Sequence, residues 1–515
     1  MLRGQRRRRI RVTALAATLA FGVATAAAPF AAWAGGNGQK NGRYEAGDPG
    51  VGDPYFPLYG NGGYQVRHYL LDLKYQPDTN HLSGGATLYA TATNDLYRFN
   101  LDFVGLTVHS ITINGKSAEW ERTDHELVVT PQRKLKDGER FRATIRYEGV
   151  PTQFSSPALG SGGFFHTDDG AVAIGEPQVA ARWYPVNDHP QDKATYTFNI
   201  TVPEGLEAVS NGRLLDRDTD DGWTTWRWVA TEPMASYLAT TAIGEYDIRR
   251  RRTDEGLPVV DAVDSDLGSI ADNALAKQEE VLTFLEATFG EYPFHTVGGI
   301  VAEGEQWGYA LENQTRPIYS KYFFQPGANP EEVYVVVHEL AHQWYGDSVA
   351  VQQWDDIWLN EGFATYAEWL WSEHTGQETP QEIFDSYYHQ PESAGYWNPP
   401  TGDPGAKNIF DASVYIRGAM TLQALRMTVG DEDFFAIVRS WYDEQRGGNG
   451  STKEFVALAE RVSGEQLDEL FQHWLFESGK PPYPDPDATL TSAQGGDAPL
   501  AVRSLRHRLG HDTRS

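Results

Sequence analysis

No cysteine occurs in the 515 residues, which excludes disulfides, a thiol nucleophile, cysteine-ligated metals and a lipidated N-terminal cysteine. Basic charge is scarce as well: 43 Lys and Arg stand against 71 Asp and Glu, a net charge of −28. Six of the arginines fall within the first eleven residues, so the remainder is more acidic still. An acidic surface serves solubility and argues against nucleic acid and anionic membrane surfaces as partners. Long hydrophobic runs are missing too. The one apolar stretch, Val12 to Pro29, is short and alanine-rich, so no stable membrane anchor is expected. Arg3, Arg6, Arg7, Arg8, Arg9 and Arg11 precede it and Ala32-Trp33-Ala34 follows it. That order reads as a signal peptide over 1–34, cleaved near Ala34 to leave a secreted protein, by a general or a twin-arginine route.

An exported chain without disulfides depends on its core, and this length has room for two or three domains. Residues 35–53 are rich in Gly, Asn and Asp and predict a flexible lead-in. From residue 54 the pattern alternates: Leu71, Leu73, Tyr75; Leu88, Ala90, Ala92; Phe141, Ala143, Ile145, Tyr147; Tyr196, Phe198, Ile200, Val202. Asn114-Gly115, Asp137-Gly138 and Asn211-Gly212 supply tight turns between such runs, which predicts an antiparallel β domain over 54–246. Residues 247–268 look like a charged connector, and 269–289 an amphipathic helix stopped by Gly290. Residues 485–515 are Pro, Gly, Ser, Asp and Arg rich without periodicity, the composition of a disordered tail.

Chemistry is concentrated between Tyr334 and Trp369. His338 and His342, in HELAH, are four apart and share one helix face, where two imidazoles can bind one cation. Glu339 lies beside that cation, placed to act on its water. Glu361 follows His342 after eighteen intervening residues and opens a second helical segment. Catalytic zinc sites use three protein ligands and leave a fourth position to water, and two His with one Glu is an established set. His338, His342 and Glu361 fit it, for one Zn2+ per chain, although manganese or cobalt accept the same donors. The alternative for HELAH alone is a chance match in a core helix.

HELAH, the eighteen-residue spacing and WLNEGFATYAE together resemble the gluzincin aminopeptidases related to aminopeptidase N and leukotriene hydrolase. The likeness runs over roughly 54–484 and includes ARWYPVNDHPQDKATYTFNITVPEGL in the β region. It implies an α+β multidomain fold: an N-terminal antiparallel β saddle, then a thermolysin-like, mainly helical catalytic domain over 247–484. No counterpart of the large C-terminal helical domain of the longer relatives is expected within these residues.

The resemblance also implies roles. WGYALENQ is similar to the family's GxMEN motif, with Tyr309 for Gly and Leu311 for Met; Glu312 would anchor the substrate's free amine and Asn313 would hold the strand. Glu176 stands where the family has a second acidic residue toward that amine, though Ile174 replaces the usual glutamine. Tyr415, heading DASVYIRGAMTLQALR, would donate to the oxyanion. The alternatives are solvent carboxylates for Glu176 and Glu312 and a core tyrosine for Tyr415. The implied activity is release of the first residue from peptides with a free N-terminus, with Glu339 as general base. A zinc endopeptidase, an epoxide hydrolase on the same fold and an inactive zinc-bearing peptide-binding protein stand as alternatives. Nothing in the sequence points to an oligomeric state.

Overall fold

The structure, a computed structural model, describes residues 44–324, 332–484 and 499–508. The expected signal peptide over 1–34 lies outside them. An eleven-stranded sheet begins the fold, with Tyr64–Gln76 antiparallel to His81–Ala92 and parallel to Ala194–Pro203. Tyr64 and Val66 point inward, and so do Tyr69, Leu71, Leu73 and Tyr75. A bulge between Val66 and His68 lets both sets face the core, because one extra residue reverses the period-two alternation. A second, five-stranded sheet includes Gly160–His166 and Ala171–Ile174 and carries the chain toward Glu176.

A third sheet bridges the two halves. Pro258–Asp264 pairs parallel with Val297–Ala302, and Ile318–Ser320 and Ala310–Leu311 extend it to an edge. Here 247–268 departs from the expected connector: Tyr246–Arg252 and Pro258–Asp264 form an antiparallel hairpin. Its arginine run masked the strand pattern, yet charged residues are what an edge strand tolerates. In place of the single 269–289 helix, Asp272–Leu275 and Gln278–Phe289 follow.

The helical half is built on Glu332–Ala341 and Trp358–His374. Glu332–Ala341 is buried at Tyr334, Val335, Val336, Val337 and Leu340, as its unbroken apolar text requires. A π-helical turn, Ser413–Arg417, leads into Gly418–Val429. Gly418 lies against Gly362 so closely that a Cβ on either would meet the other's backbone at about 2.9 Å. The two glycines therefore set the approach of the helices that carry Glu361 and Tyr415. Among the described residues, no helix is long and apolar enough to cross a membrane.

Two expectations of disorder need correction. The lead-in over 35–53 is structured from Glu45, whose strand Glu45–Ala46 pairs with Leu96–Asp102. Asp53 is buried, accepts N–H bonds from Tyr55, Phe56 and Trp354 at 2.8 Å each, and pairs with His189 at 3.1 Å. Such anchoring is side chain to backbone and leaves no hydrophobic period. In the tail, Leu500–Arg508 is a helix with Ala501, Val502 and Leu505 buried against Glu332–Ala341 and Trp358–His374. Its apolar residues are too few to stand out from the arginines around them. The other residues of 485–515 lie outside the described ones.

Candidate active site

His338 sits in the last turn of Glu332–Ala341, and the helical path continues far enough for the His342 N–H to donate to the His338 carbonyl at 3.2 Å. The two rings lie 4.8 Å apart at 79°. Glu361, in the first turn of Trp358–His374, presents Oε2 3.1 Å from His338 Nε2 and 3.4 Å from His342 Nε2. The remaining ring nitrogens are committed elsewhere: His338 Nδ1 to Glu368 Oε1 at 2.8 Å and His342 Nδ1 to the Tyr345 carbonyl at 3.0 Å. Both Nδ1 atoms face acceptors and donate their protons there, so the two Nε2 atoms are the ones turned toward Glu361. Burial would raise the Glu361 carboxyl, but His342 and His338 outweigh it and hold the group below the usual carboxylate range. Two imidazole nitrogens and one ionised carboxylate oxygen at one point are the donor set of a catalytic zinc site, so these residues fit the metal.

The other expected residues gather around that point. Glu339 is buried, and its carboxylate lies with the Glu312 carboxylate and the His342 imidazole in a second group whose ligand atoms are all within 4.8 Å. Tyr415 stacks on His338 with centroids 6.1 Å apart. Its π-turn is pinned by Arg417, which donates to the carbonyls of Trp474, Trp397, His473 and Glu477 at 2.6 to 2.8 Å. Irregular helical turns of this kind recur at functional sites.

Beside the metal triad, Glu312 Oε1 accepts from the Tyr237 hydroxyl at 3.1 Å. Gln343 Nε2 donates to the Glu312 carbonyl at 3.0 Å, and Asn313 Nδ2 to the Leu238 carbonyl at 3.0 Å, which fixes the Ala310–Leu311 edge in place. Glu176 reaches the same cavity with Oε1 buried and without a protein partner. Burial and then the Glu312 charge push the Glu176 carboxyl well up; burial also raises Glu312. Tyr309, in place of a family glycine, lines the cavity. Its hydroxyl donates to the Ser161 carbonyl at 2.8 Å, tying the cavity to the second sheet.

The cavity encloses about 340 Å3. Part of its lining is apolar, from Leu159, Leu311, Phe323, Phe410 and Leu505, and among the described residues lining it none is lysine or arginine. Sequence reasoning did not assign Glu368 or Leu505. Glu368 had a signal, since it lies seven residues, or two turns, after Glu361 and so faces the same side. Leu505 had none.

Comparison with known proteins gives the family. Residues 65–238 match the Peptidase M1 N-terminal domain and residues 273–474 the Peptidase family M1 domain. Glutamyl aminopeptidase of Rattus norvegicus is 26% identical over 363 residues, 66% of this chain and 38% of that protein. A probable aminopeptidase 2 of Sulfurisphaera tokodaii is 26% identical over 426 residues, 77% of this chain and 52% of its own. The chain thus spans about a third to a half of the curated relatives it matches. The M1 zinc metallopeptidase of Deinococcus radiodurans superposes with a TM-score of 0.78 at 30% identity, covering 85% of this chain and 100% of that one. With both domains matched in order and this relative covered end to end, the chain belongs to peptidase family M1, the zinc metallopeptidases.

Proposed function

We propose that the protein is an aminopeptidase that releases the first residue of peptides with a free N-terminus. The observation that carries this reading is the pair of buried carboxylates, Glu312 and Glu176, lining one cavity with the metal triad. A substrate ammonium between them replaces the cation they lack, and a blocked or absent amine leaves them uncompensated, which costs binding. That requirement counts one residue from the end and disfavours the endopeptidase reading.

His338, His342 and Glu361 would hold zinc, which supplies a Lewis acid for the scissile carbonyl and a more acidic water. Glu339 accepts the proton of the attacking water and delivers it to the leaving amine. Tyr415 donates to the developing oxyanion, and Asn313 keeps the Ala310–Leu311 edge beside the substrate backbone. Glu368 holds the His338 ring in the tautomer that turns Nε2 inward. The glutamyl aminopeptidases are named for an acidic first residue. Here the apolar wall and the absence of lysine or arginine among the described lining residues favour an apolar one.

Export rests on the leader alone, with cleavage near Ala34; mass measurement of protein from culture supernatant tests it. Activity is tested by incubating a mixed peptide pool and following it by mass spectrometry. Stepwise loss from the N-terminus, fastest for leucine- and phenylalanine-led peptides, is expected. Internal cleavage without trimming would replace this reading with an endopeptidase.

A further inference from the structure

Far from the catalytic cavity in sequence, the β region holds a second cluster of ionisable groups that the peptidase reaction does not use. Asp102 ends the strand Leu96–Asp102 and Glu126 begins Glu126–Pro131, and the two are direct cross-strand partners. Like charges opposite one another in an antiparallel pair destabilise a sheet. Here both are also out of water, Asp102 at 0% and Glu126 at 6% exposure.

The hydrogen bonding is one-sided. Asp102 Oδ2 accepts from the Gly60 N–H at 3.2 Å, Asn61 Nδ2 at 3.0 Å and the Asp188 N–H at 2.8 Å. Its Oδ1 has no protein partner, and neither oxygen of Glu126 has one. His125 completes the group. Its Nε2 lies 3.9 Å from Glu126 Oε1 and 2.8 Å from the Leu58 carbonyl, and its ring stacks on Tyr59 at 4.8 Å, so the nitrogen that faces the carboxylates exchanges the carbonyl for a cation when one binds. The nearby Arg122 is committed to the carbonyls of Leu106 and Phe103. Among the described residues no lysine or arginine forms an ion pair with Asp102 or Glu126; Glu126 meets only His125, at 3.9 Å.

We propose that Asp102, Glu126 and His125 form a second cation site, for a divalent metal, in the N-terminal β region. One ligand atom from each lies within 4.8 Å of the others, and donors bound to one ion at about 2.0–2.6 Å span no more than about 5 Å. Two carboxylates with one imidazole suit a hard or borderline ion, calcium or manganese before zinc. The orphaned oxygens are the groups such an ion would satisfy. Its role is structural: Asp102 also gathers the N–H groups of Gly60 and Asp188, so the ion would brace the joint between the opening segment and the Asn187–His189 loop. That loop carries the Asp53 pair and, through Asp53, Trp354 of the catalytic half.

The test uses full-length, zinc-loaded protein dialysed free of other divalent ions and titrated with Ca2+ or Mn2+ while its melting temperature is followed. A saturable rise is expected in wild type and not in Glu126→Gln, and Mn2+-soaked crystals of wild type should show an anomalous peak between Asp102 and Glu126. An equal rise in both proteins would assign the effect to the catalytic metal and overturn the site. No rise with either ion and no peak would overturn it too, leaving the carboxylates to share a proton. If Glu126→Gln does not fold, the anomalous peak in wild type decides.

Discussion

The two ends of the catalytic cavity treat buried charge in opposite ways. At the metal end every donor is fixed by a partner behind it: His338 by Glu368, His342 by the Tyr345 carbonyl, and Glu361 held ionised by the imidazoles. At the amine end, Glu176 and Glu312 face one another with one tyrosine hydroxyl for support, and burial pushes both carboxyls up. One end is finished before substrate arrives. The other is complete only when a cation enters, so its binding energy is reserved for peptides that bring one. Substitutions at the metal end should therefore damage every substrate alike, while those at the amine end should damage discrimination.

The largest effect belongs to Glu339. It is not among the three metal ligands, so Glu339→Gln should retain zinc by elemental analysis yet lose about three powers of ten or more in kcat. Parallel loss of zinc and activity would make it a ligand instead. Next is Tyr415→Phe, which should cut kcat by about a hundredfold with little change in KM, since its charge partner exists only after water attacks. An unchanged kcat would return Tyr415 to the core. Glu368→Ala should weaken zinc affinity by about 10- to 100-fold, measured by competition with a chelator, and excess zinc should restore most of the rate. If affinity stays put, the His338 ring is oriented without Glu368.

How much of this was visible in the chain depended on whether the cause was local. HELAH and Glu361 could be placed because a helix repeats every few residues, so spacing alone puts both histidines on one face. The alternating runs gave the β half for the same reason. Glu368 belonged to that same periodic text, but its partnership with His338 crosses from one helix to another, which spacing along either helix does not show. Asp53 and the 247–268 hairpin were hidden differently. Their places are fixed by backbone bonds and by an edge position, neither of which leaves an apolar stripe. Tyr309 departs from the family's glycine, and only the Ser161 carbonyl across the cleft explains where its side chain goes.

At the amine end, Glu312→Ala should raise KM and lower kcat moderately, and the informative quantity is a ratio. Wild type should prefer a free aminoacyl anilide over its N-acetylated form strongly, and the variant much less. A ratio that survives the substitution would hand the amine to Glu176 alone.

The smallest effect tests the wall shared by neither end. Leu505 reaches the cavity from Leu500–Arg508, whose Ala501 and Val502 bury against the helices that carry His338 and Glu361. Removing that contact takes away no charge and no ligand, so the chemistry should continue. What changes is the apolar surface offered to the substrate side chain, worth about tenfold in kcat/KM at the low end of such pocket changes. Leu505→Ala should therefore slow phenylalanine-led substrates more than alanine-led ones. Ending the chain after Pro484 should do the same and also lower the melting temperature, because it uncovers apolar surface on Glu332–Ala341 and Trp358–His374. Paired Michaelis curves on the two substrates, with a thermal melt of each protein, make the measurement. If the shortened chain keeps both its melting temperature and its substrate ratio, the helix does not form part of the cavity in solution, and the apolar wall ends at Phe323 and Phe410.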